Sequence, residues 1–552
     1  VESEPHPASS PLLTRLGIAA FAAIYAVILL ISAYVTPLSR TQEARVLETA
    51  RQMRDEPLSG WLTPMLNGEP RLRKPPLPYW YTAASYNVFG VSQVAGRLPS
   101  IVILLGTLAV TYCFARDVID PRAGAIAACT LAGSYFFTRF GRLAETDAPA
   151  MFGVLVGFWS IVRAEGARAV GRRVAWHYLA ALGIVIAAMS KGPPAAFVLA
   201  FLIYLCVNAR SIRPLWRFIL SGAPFVAAAG ALAWYAFIAL DEKGGVLLEE
   251  IHVVSTGSNH RGLFVQYIPE LATGLLPMTG VYVMACIAMV KSWRTESVVR
   301  LLAGTGLAVF LPLCFVLNNQ PHYLLPMLPG CALLCAWWIC RAGSMRSLSS
   351  QRSIVDVVLF LTSLFAAVAS IAVAVIDVRV NSGRPSVAGI VAIFGLAGQL
   401  FLYQAVRRRA TLGQSRLVFV AMIALASTFT STVWIPTTDS NRMSRVADAY
   451  RQSFGDALLC SDGEPANLVL CYEMRREAVN ADTPDERRAF LTRHPNGVVM
   501  REIDLSVAAN PADSIPPDGM AKELTVTLGD KRFDFYRVVR STTQPTTIPA
   551  AR

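Results

Sequence analysis

The sequence predicts an all-α polytopic membrane protein that carries one small α/β domain at its C-terminal end. Three observations lead there. The 552-residue chain is 54% hydrophobic and only 16% charged, whereas a soluble domain carries about 25% charge. Its apolar residues gather in repeated runs of about 18 to 22, the length that crosses a hydrocarbon core of about 30 Å. Beyond Pro436 the composition turns polar and the long runs stop.

The first run, 12–36, is longer than the apolar core of a cleaved leader, and no small-residue cleavage pattern follows it closely. It reads as a permanent span behind a short tail, 1–11. Further spans are expected at 97–115, 123–139, 148–163, 174–190, 194–208, 217–240, 274–291, 300–317, 323–341, 353–376, 386–406 and 416–435, thirteen with the first. The run 77–92, which holds Tyr79, Trp80, Tyr81, Tyr86 and Phe89, suits an aromatic helix lying at the interface.

Loop charges support this count. With thirteen spans, Arg116 and Arg122, Arg163 and Arg168, Arg172 and Arg173, Arg210 and Arg213, Lys291 and Arg294, Arg341 and Arg346, and Arg407 to Arg409 all share one side. The positive-inside rule makes that side cytoplasmic. These loops also account for much of the net charge of +13, so nucleic acid is not the expected partner. The opposite side receives 37–96, 140–147, 191–193, 241–273, 318–322, 377–385 and everything after Pro436.

Residues 440–540 read as a separate soluble module on that outer side. "ERRAFLTRH" (486–494) has the composition of a short helix. "ELTVTLGDKRFDFYRVV" (523–539) alternates apolar and polar residues around Gly-Asp, the pattern of a β-hairpin. Cys460 and Cys471 are spaced so that an oxidising compartment permits a disulfide. The other eight cysteines lie in apolar runs, where a thiol behaves as a small hydrophobe. The ends, 1–10 and 541–552, are rich in Pro, Ser and Thr and read as tails.

The outer loops hold nearly every residue suited to polar chemistry. "TQEARVLETARQM" (41–53) puts Val46, Leu47, Ala50 and Met53 on one helical face, with Glu43 and Glu48 elsewhere. An amphipathic helix on the outer surface fits, in which Glu43 is either a solvated N-terminal acid or a working carboxylate. Lys74 stands before Pro75-Pro76, which forbid helix and stiffen the chain at the aromatic belt around Tyr79. It either snorkels to lipid phosphates or grips a ligand. Asp147 precedes Ala148-Pro149 and is either a helix cap or an acid that needs a partner so close to hydrocarbon. Lys191 is confined by Gly192 and two prolines, and His322 and Tyr323 open a later span. In the loop 249–270, Glu249, His252 and His260 supply N and O donors of the kind zinc takes, without matching a recognised metal motif. No cofactor is otherwise required.

Collected on one membrane face, the cations Lys74, Lys191, Arg261 and Arg45 suit a lipid-borne phosphate. The acids Glu43 and Asp147, with His322, suit a sugar, an amine or a proton transfer. An anionic lipid substrate used on the outer face follows from the residues alone. The span centres are nearly free of charge, which disfavours a transporter.

The segments "QEARVLETARQM", "LRKPPLPYW", "GRLPS" (96–100), "RLAETDAPAMF" (142–152), "SKGP", "NHRGLFVQYIP" (259–269) and "QPHYLLPMLPG" (320–330) occur in this order over about 330 residues. Together they resemble the integral-membrane GT-C glycosyltransferases that use polyprenyl-phosphate sugars, and within them the aminoarabinose transferases that modify lipid A. The resemblance implies thirteen spans, a periplasmic C-terminal domain, and transfer of 4-amino-4-deoxy-L-arabinose from undecaprenyl phosphate to a lipid A phosphate at the bacterial inner membrane. By motif position it gives Lys74 and Arg261 to the carrier phosphate and makes Asp147 the second-loop acid. Where related sequences read Asp-Glu in the first loop, this chain reads Gln42-Glu43. A Gln takes no proton at neutral pH, so either Glu43 acts or no strong base is needed. The second reading goes with a phosphate acceptor, which is already anionic. The first goes with the alternative, a related enzyme that moves another sugar to a protein or glycan hydroxyl.

Overall fold

The computed structural model describes residues 11–38, 40–67, 69–72, 74–240, 264–315, 320–344, 354–362, 364–365, 368, 371–372, 375, 412–434, 443–462, 468–475, 478–481, 483–504, 517, 520–528 and 531–538. The expected span 386–406, part of 353–376 and both tails lie outside them. The chain divides into two compact units. One is Val1–Thr36, Thr49–Met65 and Pro70–Thr438; the other is Pro37–Glu48, Leu66–Glu69 and Asp439–Arg552.

The N-terminal part runs α1 (Pro11–Val35), α2 (Thr41–Arg54), α3 (Leu58–Leu62), the short strands β1 (Met65–Leu66) and β2 (Glu69–Pro70), then α4 (Leu77–Phe89), α5 (Gln93–Val118), α6 (Pro121–Ala132), α7 (Tyr135–Gly141), α8 (Asp147–Gly166), α9 (Val170–Lys191), α10 (Ala195–Asn208), α11 (Arg213–Leu220) and α12 (Ala223–Leu240). Among the described residues seven helices are long and apolar enough to cross a membrane: Leu16–Val35, Gln93–Val118, Asp147–Gly166, Val170–Lys191, Ala223–Leu240, Pro321–Arg341 and Arg416–Val433. The pair Tyr267–Gly274 and Thr279–Ser292, bent by 117°, makes an eighth if it counts as one span; Ala195–Asn208 and Ser297–Leu313 are apolar but shorter. The chain is a multi-pass membrane protein.

Two expected spans have a different shape. The run 123–139 is two helices, α6 and α7, which break at Gly133-Ser134. There a Cβ on Gly133 would stand 3.1 Å from the Ala424 backbone, so the break is where another helix comes close. The run 217–240 is divided by Gly222, whose φ of +79° ends α11 before α12 starts. The run 77–92 is the 13-residue helix α4, below the length of a span.

Helix α2 forms where the sequence predicts it, but not as a surface helix with a wet acidic face. Glu43 and Glu48 are as buried as Leu47 and Ala50. A two-sided apolar/polar pattern gives the helix its period, not what covers it.

The C-terminal unit is a mixed five-stranded sheet in the order β4-β3-β5-β7-β6. Strands β3 (Leu459–Asp462), β4 (Ala478–Ala481) and β5 (Val498–Asp504) are parallel, while β6 (Met520–Leu528) and β7 (Lys531–Val538) form the expected antiparallel hairpin. The expected short helix is Pro484–Arg493, opened by a capping box in which Thr483 and Glu486 each bond the other's backbone N–H. Period-two alternation sends Phe533 and Phe535 to one face, where they pack on Tyr450 and Phe454 of the helix Ser444–Phe454. The same alternation sends Cys460, Val499 and Tyr536 to the other face, against Phe490. Cys471 packs in the first cluster and Cys460 in the second, and both are free thiols. The sheet that separates them keeps them from pairing.

Candidate functional site

The site begins with a close helix crossing. Helices α8 and α9 run antiparallel, and glycines line their contact. A Cβ on Gly183 would meet Gly153 O at 2.5 Å and Gly157 N at 2.8 Å; one on Gly153 would meet Gly183 O at 2.5 Å. Small residues let two backbones approach where apolar solvent gives no other drive for association. The approach sets the first residue of α8, Asp147, beside the last residue of α9, Lys191. Their side chains form an ion pair between Lys191 Nζ and Asp147 Oδ1, with side chains only 10% and 7% exposed.

Local geometry fixes both residues. Thr146, not Asp147, stands at the N-cap position, and its side chain makes no cap bond. The capping role open to Asp147 in the sequence is therefore not the one it takes. Lys191 is followed by Gly192 at φ +79°, whose N–H returns to Ala188 O at 2.8 Å. The chain then turns through Pro193-Pro194 into α10, which leaves Lys191 little freedom.

A third element completes the group. The 3-10 turn Pro321–Met327 holds His322 and Tyr323 with their rings edge to face at 4.9 Å. The Lys191 ammonium lies 4.1 Å from the Tyr323 ring centroid, a cation–π contact. Phe140, near the end of α7, stands 6.0 Å from the His322 ring. The charges that act on Asp147 are Lys191, then His322, then Lys74.

Lys74 reaches this place through its neighbours. Leu72 is buried in a cluster with Met189, Trp234 and Ile238, so the residue two before Lys74 packs with the residue two before Lys191. Trp80 Nε1 donates to Trp61 O at 2.7 Å, and Trp234 Nε1 donates to Leu62 O at 2.8 Å. Two indoles thus tie α3 to α4 and α12. Tyr79 is fully buried. The Tyr81 hydroxyl lies 3.5 Å from Glu145 O. Burial holds the Tyr81 phenol well above its ordinary value, with Ser100, Asp147 and Tyr79 as its polar surroundings. It is a neutral hydroxyl beside the acid.

Of the residues singled out from sequence, the structure gathers Asp147, Lys191, Lys74, His322 and Tyr323, with Tyr79 near. Glu43 is buried and Arg45 half-buried on α2, in the other unit. Arg261, Glu249, His252 and His260 lie outside the described residues. Among the described residues no three His, Cys, Asp or Glu side chains are grouped to hold a metal.

Sequence reasoning missed the arginines behind the site. Arg97 is fully buried, and its Nη1 donates to Ala33 O at 3.1 Å and Thr36 O at 2.8 Å. Arg142 Nη1 donates to Thr36 Oγ1 at 3.0 Å, and Gln93 Nε2 also donates to Thr36 O, at 2.8 Å. Carbonyls left over at the end of α1 thereby gain donors, and α1, α5 and the segment that leads from Arg142 to Asp147 are tied at one point. The available signal was "GRLPS": an arginine at the head of an apolar run needs acceptors.

Comparison with known proteins follows the same line. A family model described as dolichyl-phosphate-mannose-protein mannosyltransferase matches residues 73–234. An uncharacterized protein of Aquifex aeolicus is 25% identical over 288 residues, 50% of this chain and 55% of its own. The undecaprenyl phosphate-alpha-4-amino-4-deoxy-L-arabinose arabinosyl transferase of Edwardsiella ictaluri is 24% identical over 336 residues, 57% of this chain and 58% of that protein. The chain thus spans little more than half the length of the curated relatives it matches. The crystal structure of ArnT from Cupriavidus metallidurans in the apo state superposes with a TM-score of 0.77 at 17% identity, covering 95% of this chain and 98% of that one. The same protein bound to undecaprenyl phosphate gives 0.73 at 18%, covering 94% and 97%. At these identities the likeness establishes the fold: this is the GT-C architecture expected from the sequence.

Proposed function

We propose that this protein is a GT-C glycosyltransferase that moves 4-amino-4-deoxy-L-arabinose from undecaprenyl phosphate to a lipid A phosphate, at a site facing the periplasm across the bacterial inner membrane. One observation carries the reading: Lys74, Lys191 and His322 converge on the buried Asp147 where three separate helices begin or end. A site rich in cations with one carboxylate suits two phosphates and an amino sugar. The fold shared with ArnT and the names of the curated relatives support the donor and the sugar.

The chemistry follows from charge. An oxygen of the acceptor phosphate attacks the anomeric carbon in line, and the bond from that carbon to the polyprenyl phosphate oxygen breaks. The configuration inverts, and polyprenyl phosphate leaves with the bonding electron pair. The attacking oxygen is already anionic, so no proton has to be removed first. The difficulty is that two anions approach each other. Lys74, with Arg261, screens the carrier phosphate as its charge grows. Lys191 and Asp147 hold the sugar and the acceptor in line, which is worth more than any single contact.

The test is direct. The purified chain in a bilayer, with labelled undecaprenyl-phosphate aminoarabinose and lipid A, should pass the label to lipid A. No transfer, with turnover of another polyprenyl-phosphate sugar, would overturn the choice of substrate.

A second reading draws on the match to the protein mannosyltransferase model and on the full burial of Glu43. In it the acceptor is a protein or glycan hydroxyl and Glu43 is its general base. Label that appears on a hydroxyl acceptor and not on lipid A would favour it.

A further inference from the structure

The turn between α8 and α9 lies at the far end of both helices from Asp147 and Lys191. Each helix is long and apolar enough to cross a membrane. The 20 residues of α8, at about 1.5 Å each, put the turn about 30 Å from that ion pair. Helix α11 comes to the same end, since it follows the apolar helix α10 and leads through Gly222 into the span α12. Two contacts join the loops. Arg217 Nη1 lies 2.8 Å from Glu165 Oε2, and the Phe218 ring stands edge to face with His177 at 5.5 Å. They form one rim, at the depth where the spans leave the bilayer.

The segments 163–176 and 208–221 hold seven arginines and one acid, Glu165, so the rim carries far more positive charge than it can pair. Three of the arginines are engaged. Arg163 lies 3.3 Å from Asp117 and over the Trp176 ring, Arg217 holds Glu165, and Arg173 Nη2 donates to Ala167 O at 2.8 Å. The other four, Arg168, Arg172, Arg210 and Arg213, are exposed, and their side chains form no ion pair or hydrogen bond with the described residues. Only three residues link α8 to α9. The engaged arginines and the short link hold the backbone from which the free guanidiniums project.

Helix α11 fixes the depth of the rim. Its Pro214 and Phe218 are buried, while Trp216 and Leu220 are 52% and 80% exposed. Exposed apolar residues on a short helix that leads into a span belong among lipid chains, and an indole sits at headgroup level. The arginines beside them then stand among headgroup phosphates, whose oxygens fit a guanidinium fork. A topology signal needs only the number of charges; it does not need them unpaired on a fixed framework.

We propose that this rim binds the phosphate of an anionic phospholipid, through Arg168 and Arg172 from one loop and Arg210 and Arg213 from the other, in the leaflet away from Asp147 and Lys191. It makes no use of the sugar site and stands whichever sugar is moved.

The test titrates the purified full chain in detergent with phosphatidylglycerol, and separately with phosphatidylcholine of the same chains, and counts bound lipid by native mass spectrometry. Phosphatidylglycerol should bind more tightly. Each arginine near an anionic surface is worth about fivefold in affinity, so R168Q/R172Q should weaken phosphatidylglycerol by up to about 25-fold and leave phosphatidylcholine unchanged. R116Q, which removes an arginine already paired with Asp117, should keep the preference. An unchanged melting temperature certifies the fold of the variants. If R168Q/R172Q unfolds instead, the wild type carries the test: raising the salt from 0.1 to 0.5 M should erase most of its preference, because exposed charges are screened. Equal affinity of the wild type for the two lipids overturns the proposal. So does a preference that survives R168Q/R172Q, that R116Q removes equally, or that salt leaves intact. Glycerol phosphate that binds as tightly as phosphatidylglycerol overturns the lipid as the ligand.

Discussion

Asp147 and Lys191 form an ion pair across 44 positions of sequence, the first residue of one helix meeting the last residue of the next. The pair exists because the helices between them touch at glycine. Gly153, Gly157 and Gly183 leave no space between the backbones of α8 and α9. Gly183→Ala should therefore act at a distance. Its Cβ would meet backbone atoms, which cannot swing aside, so the helices must separate. The expected cost is about 1–3 kcal/mol of stability and about 10²-fold in transfer rate, since small misplacements of a reacting group are expensive. Gly171 has open space around its Cβ position, and Gly171→Ala should leave both quantities unchanged or slightly raise the melting temperature. Thermal unfolding in detergent and a transfer assay would read both.

The pair itself can be taken apart. Both side chains are nearly buried, so removing one partner strands the other's charge. Asp147→Asn or Lys191→Met alone should each destabilise the protein by about 3–5 kcal/mol. The double variant removes both charges and should recover most of that loss in the same unfolding measurement. It should not recover transfer, because the carboxylate and the ammonium are then both absent from the site. If the double variant unfolds as early as the singles, the pair is not what holds this corner together.

How far the sequence reaches is clear from particular residues. The long apolar runs declare their helices because bilayer thickness demands a minimum length, and the hairpin at 523–539 declares itself by alternation about Gly-Asp. The ordered motifs also bring the right loops to one face, so Lys74, Asp147, Lys191, His322 and Tyr323 were all legible as candidates. What stays illegible is mutual: that Lys191 pairs with Asp147 and rests on Tyr323 depends on a glycine crossing in which no single glycine stands out. Burial of Glu43 is illegible for a similar reason, since period alone does not say what covers a helix face. Arg97 and Arg142 were passed over because an arginine at a span end resembles a topology signal. Only coordinates show that Arg97 takes the last carbonyls of α1. The parallel strands β3, β4 and β5 escaped because four to seven residues of mixed apolar and polar character, without sustained alternation, carry no strand signature.

The choice between a phosphate and a hydroxyl acceptor turns on two substitutions. With a phosphate acceptor, Lys74→Ala should lower kcat by about 10² to 10³, the cost of losing one group that stabilises charge in the transition state. Glu43→Gln keeps the shape of the side chain and should cost less than tenfold, with no new pH dependence, because no proton has to be taken from a phosphate. A hydroxyl acceptor reverses the order. It needs its base, so Glu43→Gln would cost about 10² to 10⁴ and flatten the acidic limb of the pH–rate profile. Steady-state rates of the two variants between pH 5 and 9 would separate the cases.

Arg97 provides the last test, of how the site is held. Its guanidinium closes on Ala33 O and Thr36 O, and Arg142 and Gln93 bond the same residue, Thr36, whose hydroxyl donates to Thr432 O at 3.0 Å. Arg97→Met fills much of the volume but leaves buried carbonyls at the end of α1 with fewer donors, at about 1–3 kcal/mol for each group left unsatisfied. Arg97→Lys keeps the charge as a single point and cannot reproduce the planar fork, so it should fall between wild type and Arg97→Met in melting temperature. The loop from Arg142 to Asp147 hangs from the same node. If Arg97 acts by holding this loop in place, loosening it should lower kcat more than it raises KM for the lipid donor. A variant that raises KM alone would place Arg97 in substrate binding and remove it from this role.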